Sequence, residues 1–195
     1  MPVPTHVQDL ATACVASAKA VVNIELDFTT DTLPILDHYA QQALGEDATQ
    51  EQALGLIAPM CGAYFGEVVR RRFEMLRWHA PPDEYGGWRL EGENIFVYFN
   101  PIGVALEVLT QADADGWNAH VEVQPKDRDA VKHAVELFGA VRETDYYSFG
   151  IRLETLEQIL ESLVREARVR GEKRTFGSAM YEAEVLKRQV GPELN

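Results

Sequence analysis

Cysteine is scarce in this chain. Only Cys14 and Cys61 occur in 195 residues, each in an apolar helical context. A disulfide framework is thereby excluded, and two buried free thiols in a reducing cytosol are expected. Basic residues are also in deficit, 18 against 31 acidic ones, for a formal net charge of −13. That balance repels phosphate backbones and anionic membrane surfaces over long range. Nucleic acid and membrane are disfavoured as partners, and a basic protein partner is permitted. No uncharged apolar run approaches the roughly 20 residues of a membrane helix. The start, Met1-Pro2-Val3-Pro4-Thr5-His6, lacks the basic and apolar regions of a signal peptide. Hydrophobic residues make up 46% and charged residues 25%, which argues against wholesale disorder. The expectation is a cytoplasmic protein with one main domain.

The assembled motifs of catalysis are missing as well. There is no Gly-x-Ser-x-Gly elbow, and Ser148-Phe149-Gly150 falls in an alternating pattern that reads as strand. No glycine-rich phosphate loop exists, which removes nucleotide-binding readings. Asp37 and His38 are neighbours in sequence and diverge by about 100° on a helix, so they do not share one ion. His79, Asp83 and Glu84 lack a second histidine at zinc spacing. Asp113-Ala114-Asp115-Gly116 starts like a calcium loop, but its glycine comes too early and no twelfth-position acid follows. No metal, no cofactor and no catalytic set are expected. The one arrangement with acid–base potential gathers Glu67, His79, Asp83 and Glu84 where a long helix meets a loop. Two carboxylates and a histidine can do such work if burial separates their pKa values.

What the chain does have is one unusual helix. Leu54, Ile57, Cys61, Tyr64, Phe65, Val68 and Leu76 share a broad apolar stripe at 3.6-residue spacing. Gly62, Ala63 and Gly66 lie on a different side, where a partner must pack close, because glycine inside a helix costs about 1 kcal/mol relative to alanine. The residues Thr49-Gln50-Glu51-Gln52 have capping-box spacing at its start, and Pro59 is expected to kink or split it. Arg72 falls on the apolar stripe, which predicts a structural ion pair: a guanidinium there must snorkel outward or find a buried carboxylate.

Around that helix the pattern alternates between periods. Val7 to Val22 and Leu33 to Leu44 read as helices, with a short strand at Ile24 to Phe28 between them. Four strands are read after Gly87, at Trp88 to Leu90, Ile95 to Phe99, Val104 to Val108 and Ala119 to Val123. Asn100-Pro101-Ile102-Gly103 joins the second to the third as a type I turn. Pro125 to Phe138 reads as helix, Tyr147 to Leu153 as strand, and Leu156 to Val164 as helix. The fold class is α+β, an antiparallel meander sheet with helices packed mainly on one face. Residues 1–170 form the domain; 171–195 form a linker and a C-terminal helical appendage whose narrow stripe is Met180, Ala183, Leu186 and Val190.

The run Gly62-Ala63-Tyr64-Phe65-Gly66-Glu67-Val68-Val69-Arg70-Arg71, followed by Trp88 and by Asn100-Pro101-Ile102-Gly103, resembles a loose group of uncharacterised bacterial cytosolic proteins. These pair a Gly-Ala-Tyr-x-Gly-Glu-Val helix with a following tryptophan and an x-Pro-x-Gly strand turn. The likeness spans residues 25 to 110, interrupted by Glu74-Met75-Leu76 and the Pro-Pro loop before Trp88. Some members of such groups look like immunity or accessory proteins, and the resemblance implies no activity. The leading expectation is a non-enzymatic protein-binding or accessory protein. Tyr85, Trp88, Tyr98 and Trp117 are the candidate binding residues, because tyrosine and tryptophan supply contact area at low entropic cost. Self-association as a homodimer is open. The alternatives are a hydrolase-like enzyme using the Glu67 group and a small-ligand carrier with an aromatic pocket.

Overall fold

A computed structural model describes residues 2–44, 50–82, 84–139 and 142–189. Asp83, Thr49 and Val190 therefore lie outside the described residues. The helix α1 (Thr5–Val22) buries Val7, Ala11, Cys14 and Ala18 as one stripe against α3 (Gln50–Arg72). Cys14 and Cys61 meet at that crossing; the contact between them and their burial push the Cys61 thiol well above its ordinary range. The expected strand at Ile24 to Phe28 is absent. Phe28 sits at φ 64°, in the left-handed region, and its N–H donates to the Tyr64 hydroxyl at 2.9 Å, so α3 holds this segment in place of a neighbouring strand. α2 (Leu33–Ala43) follows.

α3 is the central helix and runs through Pro59 without a break. Its residues Glu51–Arg72 are long and apolar enough to cross a membrane by composition, but 72% of the most apolar stretch is buried inside the protein, as in a core helix. The glycine side is as expected. A Cβ on Gly62 would meet the Ile102 Cα at 2.6 Å, and one on Gly66 would meet the Trp78 ring at 2.3 Å. The helix stops at Arg72, so Leu76 belongs to a strand. Leu76–His79 form β1, paired antiparallel with β2 (Arg89–Gly92), then β3 (Val97–Phe99) and β4 (Glu122–Val123), in the order β1-β2-β3-β4.

The meander is present, but one of its expected strands is a helix. Asn100 to Gly103 starts α4 (Pro101–Thr110): the Asn100 side chain accepts the Ile102 N–H at 2.9 Å, and Pro101 occupies the first turn. The same Asn-Pro chemistry serves a turn or a helix N-terminus. α4 is buried on almost every side, so its valines carry no one-sided helical stripe in the sequence. After α5 (Arg128–Phe138) and the one-turn α6 (Glu143–Tyr146), α7 (Phe149–Val169) replaces the strand expected at Tyr147 to Leu153.

Strand alternation divides the sheet into two faces. Leu76, Trp78, Leu90, Val97, Phe99 and Val123 face the main core. Arg77, Glu91 and Tyr98 face the other way, where α8 (Ser178–Gln189) lies. The stripe that docks α8 is not the expected one. Tyr181 is fully buried and packs with Phe176, Phe96 and Tyr98, whereas Met180 and Leu186 are 48% and 61% exposed and point away. The C-terminal segment thus docks on the body, and the Tyr181 hydroxyl donates to the carbonyls of Gly92 and Ile95 (2.6 and 3.1 Å).

Candidate functional site

The residues expected to act together are apart. Glu67 is buried on the core side of the sheet, where its carboxylate accepts the Trp78 indole N–H at 2.7 Å and pairs with Arg70 at 2.9 Å. His79 is the next residue after Trp78 and so faces the opposite side, across from Arg89. Burial and the Arg89 charge hold its pKa below the ordinary value. Glu84 is exposed. The structure does not assemble Glu67, His79 and Glu84 into a site.

Two of the four candidate binding aromatics are core residues. Trp88 and Tyr98 are 1% and 2% exposed, hence core; Tyr85 and Trp117 are partly exposed, and Tyr85 lies edge-on against Trp88. Arg72 does pair, with Glu157 at 2.8 Å, but at 54% exposure. It is the last residue of α3 and reaches past the end of the core, so of the two alternatives the guanidinium snorkels outward and its ion pair is a surface one.

The buried arginine of the site lies on α7. Two acceptors fix the start of that helix: the Ser148 Oγ accepts the Ile151 N–H, and the Asp37 carboxylate on α2 accepts the Phe149 N–H at 2.8 Å. Burial pushes the Asp37 carboxyl up to about 6. One turn in, Arg152 projects from the buried stripe that includes Phe149, Leu153 and Leu156. Its Nη2 donates to Glu107, which is 1% exposed on α4, and its Nη1 donates to the Tyr146 hydroxyl at 2.8 Å. The Tyr146 ring lies 4.0 Å from the guanidinium carbon. The other Glu107 oxygen is 3.3 Å from His120 Nε2 and accepts the Ala114 N–H at 3.2 Å. Burial alone would raise the Glu107 carboxyl, but His120, Arg152 and that N–H together hold it below the carboxylate range. The hydrogen bond to Glu107 raises His120 in turn.

This cluster borders a pocket of about 270 Å³ between α4, α5, α7 and the chain entering β4. Its walls are aliphatic, with Val104, Val121, Val131, Val135, Leu156 and Ile159; His120, Tyr146, Arg152 and Thr155 supply its polar groups. Arg152 Nε is buried and has no hydrogen-bond partner, one of two such side-chain atoms among the described residues. The larger recess of about 520 Å³ beside Phe73, Leu160 and Val164 is an open surface groove bordered by Glu161, Arg165 and Arg168.

Glu107, Asp113 and His120 also offer ligand atoms within 4.8 Å of one another, the only such trio found among the described residues. A cation there would compete with Arg152 and His120 for the Glu107 oxygens, so these residues suit a hydrogen-bond network better than a metal. The signal for this site was present on the helical wheel, since Arg152 sits on the apolar stripe of α7, but reading its first turn as strand hid it.

No family model, curated protein or solved structure matches the chain.

Proposed function

We propose that this protein is a small-molecule binding protein, a carrier or sensor whose ligand occupies the pocket between α4, α5 and α7. The observation that supports this is the conjunction of a 270 Å³ aliphatic space with a buried arginine at its edge. Binding sites of this kind are mostly apolar, with a few placed polar groups for orientation. The volume lies near the small end of the range for ligand pockets, and suits a molecule of roughly ten non-hydrogen atoms. The small-ligand alternative is thus favoured over the protein-binding reading, which leaned on exposed strand aromatics of which Trp88 and Tyr98 are core.

The test is methyl chemical-shift mapping with millimolar octanamide, an uncharged probe of matching size. Shifts concentrated at Val104, Val121, Val131 and Leu156 are expected, and they should vanish in Val135→Trp, which fills the mouth of the pocket from a position 44% exposed. Shifts confined to the groove at Phe73 and Val164, or none at all, would remove the proposal.

A further inference from the structure

The polar end of the pocket keeps two donors without a strong acceptor. Arg152 Nε–H has no acceptor. The Tyr146 hydroxyl accepts from Arg152 Nη1, which leaves its own proton for another oxygen; the His120 Nδ1 is at 3.4 Å, too long for a strong bond. Thr155 spends its hydroxyl proton on the Ile151 carbonyl. The one buried carboxylate, Glu107, is fully taken: one oxygen by Arg152, the other by His120 and Ala114. A ligand entering here meets two unspent donors, Arg152 Nε–H and the Tyr146 O–H, beside a carboxylate that is already paired. A head with two acceptor oxygens, as an ionised carboxylate has, answers two such donors.

His120 is faced by Glu107 on α4, Asp113 in the loop after it, Tyr146 on α6 and Arg152 on α7. Arg152 pairs with Glu107, and Asp113, whose carboxylate lies within 4.8 Å of the Glu107 and His120 ligand atoms, accepts the Tyr147 hydroxyl proton at 3.0 Å. Arg152 Nε is closed to solvent, so a ligand oxygen reaches it only once the side chains around it shift.

We infer that the ligand is a small aliphatic monocarboxylate, with its chain among the valines of α4 and α5 and its head on Arg152 Nε and the Tyr146 hydroxyl. This rests on the binding reading above and adds the ligand's class to it.

The test is calorimetric titration of the full chain with octanoate and with octanamide, which differ in the head alone. Octanoate should bind about 10-fold tighter or more, the scale of a charge-assisted hydrogen bond to a buried donor. Arg152→Lys keeps a cation for Glu107 and removes Nε–H; it should abolish the preference for octanoate over octanamide. Equal affinities in the parent, or an undiminished octanoate preference in a folded Arg152→Lys, overturn the inference and leave the pocket reading standing. Should Arg152→Lys not fold, the parent's affinity ratio decides. Absence of binding by both probes overturns the pocket reading itself.

Discussion

Two buried arginine–glutamate clusters among the described residues differ in what lies beside them. On the far face of the sheet, Glu91 is fully buried between Arg77 and Arg89, at 3.2 and 2.7 Å. Arg77 also donates to the Phe176 carbonyl at 2.7 Å, and Phe176 and Tyr181 lie over this face. In the other cluster, Glu107 and Arg152 are equally buried but border open space. Each has one arginine nitrogen without a partner, Arg89 Nη2 and Arg152 Nε. Under α8 the orphan donor is a cost of packing, of about 1–3 kcal/mol. Beside the pocket the same defect is the donor that the proposed ligand would satisfy. Burial and charge alone do not distinguish a site from a strut; adjacent space does.

The contrast can be broken first at the glutamates. Glu91→Gln leaves two buried guanidinium groups without a counter-charge and should cost about 3–5 kcal/mol in urea melts. Glu107→Gln should cost less, because its arginine keeps the Tyr146 ring and hydroxyl and the pocket admits water. The reverse order would contradict the division into strut and site. Next in size is Tyr181→Phe, which removes the hydroxyl bonded to Gly92 and Ile95; about 1–2 kcal/mol should be lost with pocket binding unchanged.

Titration sharpens the comparison further. His120 is raised when folded, so its contribution is complete below the unfolded value near 6.5 and is lost as pH rises through the folded value. The half-exposed imidazole limits this to below about 1 kcal/mol, and His120→Gln should flatten stability above pH ~6.5. Asp37, pushed up to about 6, binds its proton more tightly folded than unfolded. Stability from this group is present at low pH and lost between about 4 and 6, and Asp37→Asn should remove that slope while keeping an oxygen acceptor for Phe149. The smallest effect belongs to Arg72→Ala, about 0–1 kcal/mol, as for an exposed pair.

How much of this was legible in the sequence varies by element. The close-approach side of α3 could be read because Gly62 and Gly66 are costly unless something fills their place, and Ile102 and Trp78 do. The strand at Ile95 to Phe99 was legible from its apolar run, of which Val97–Phe99 form β3. α4 was not, because a helix buried all round shows no polar side to set its period. The first turn of α7 was misread because Tyr147, Phe149, Ile151 and Leu153 alternate by chance over a Ser148 cap. That error concealed Arg152. The wheel that singled out Arg72 would have found Arg152 as well, whereas Arg72 escaped burial by being the last residue of its helix. The meeting of Glu107 with His120 joins a helix to a loop across a turn, and no local spacing encodes it.

The division between site and strut is tested most directly by the arginine side-chain Nε–H resonances during an octanoate titration. Arg152 Hε, without an acceptor in the unliganded protein, should move downfield and slow its exchange with water, while the Nε–H signals of Arg77 and Arg89, already bonded to Glu91, stay in place. An Arg152 signal unmoved at saturating octanoate, or movement at Arg77 and Arg89 instead, would contradict it.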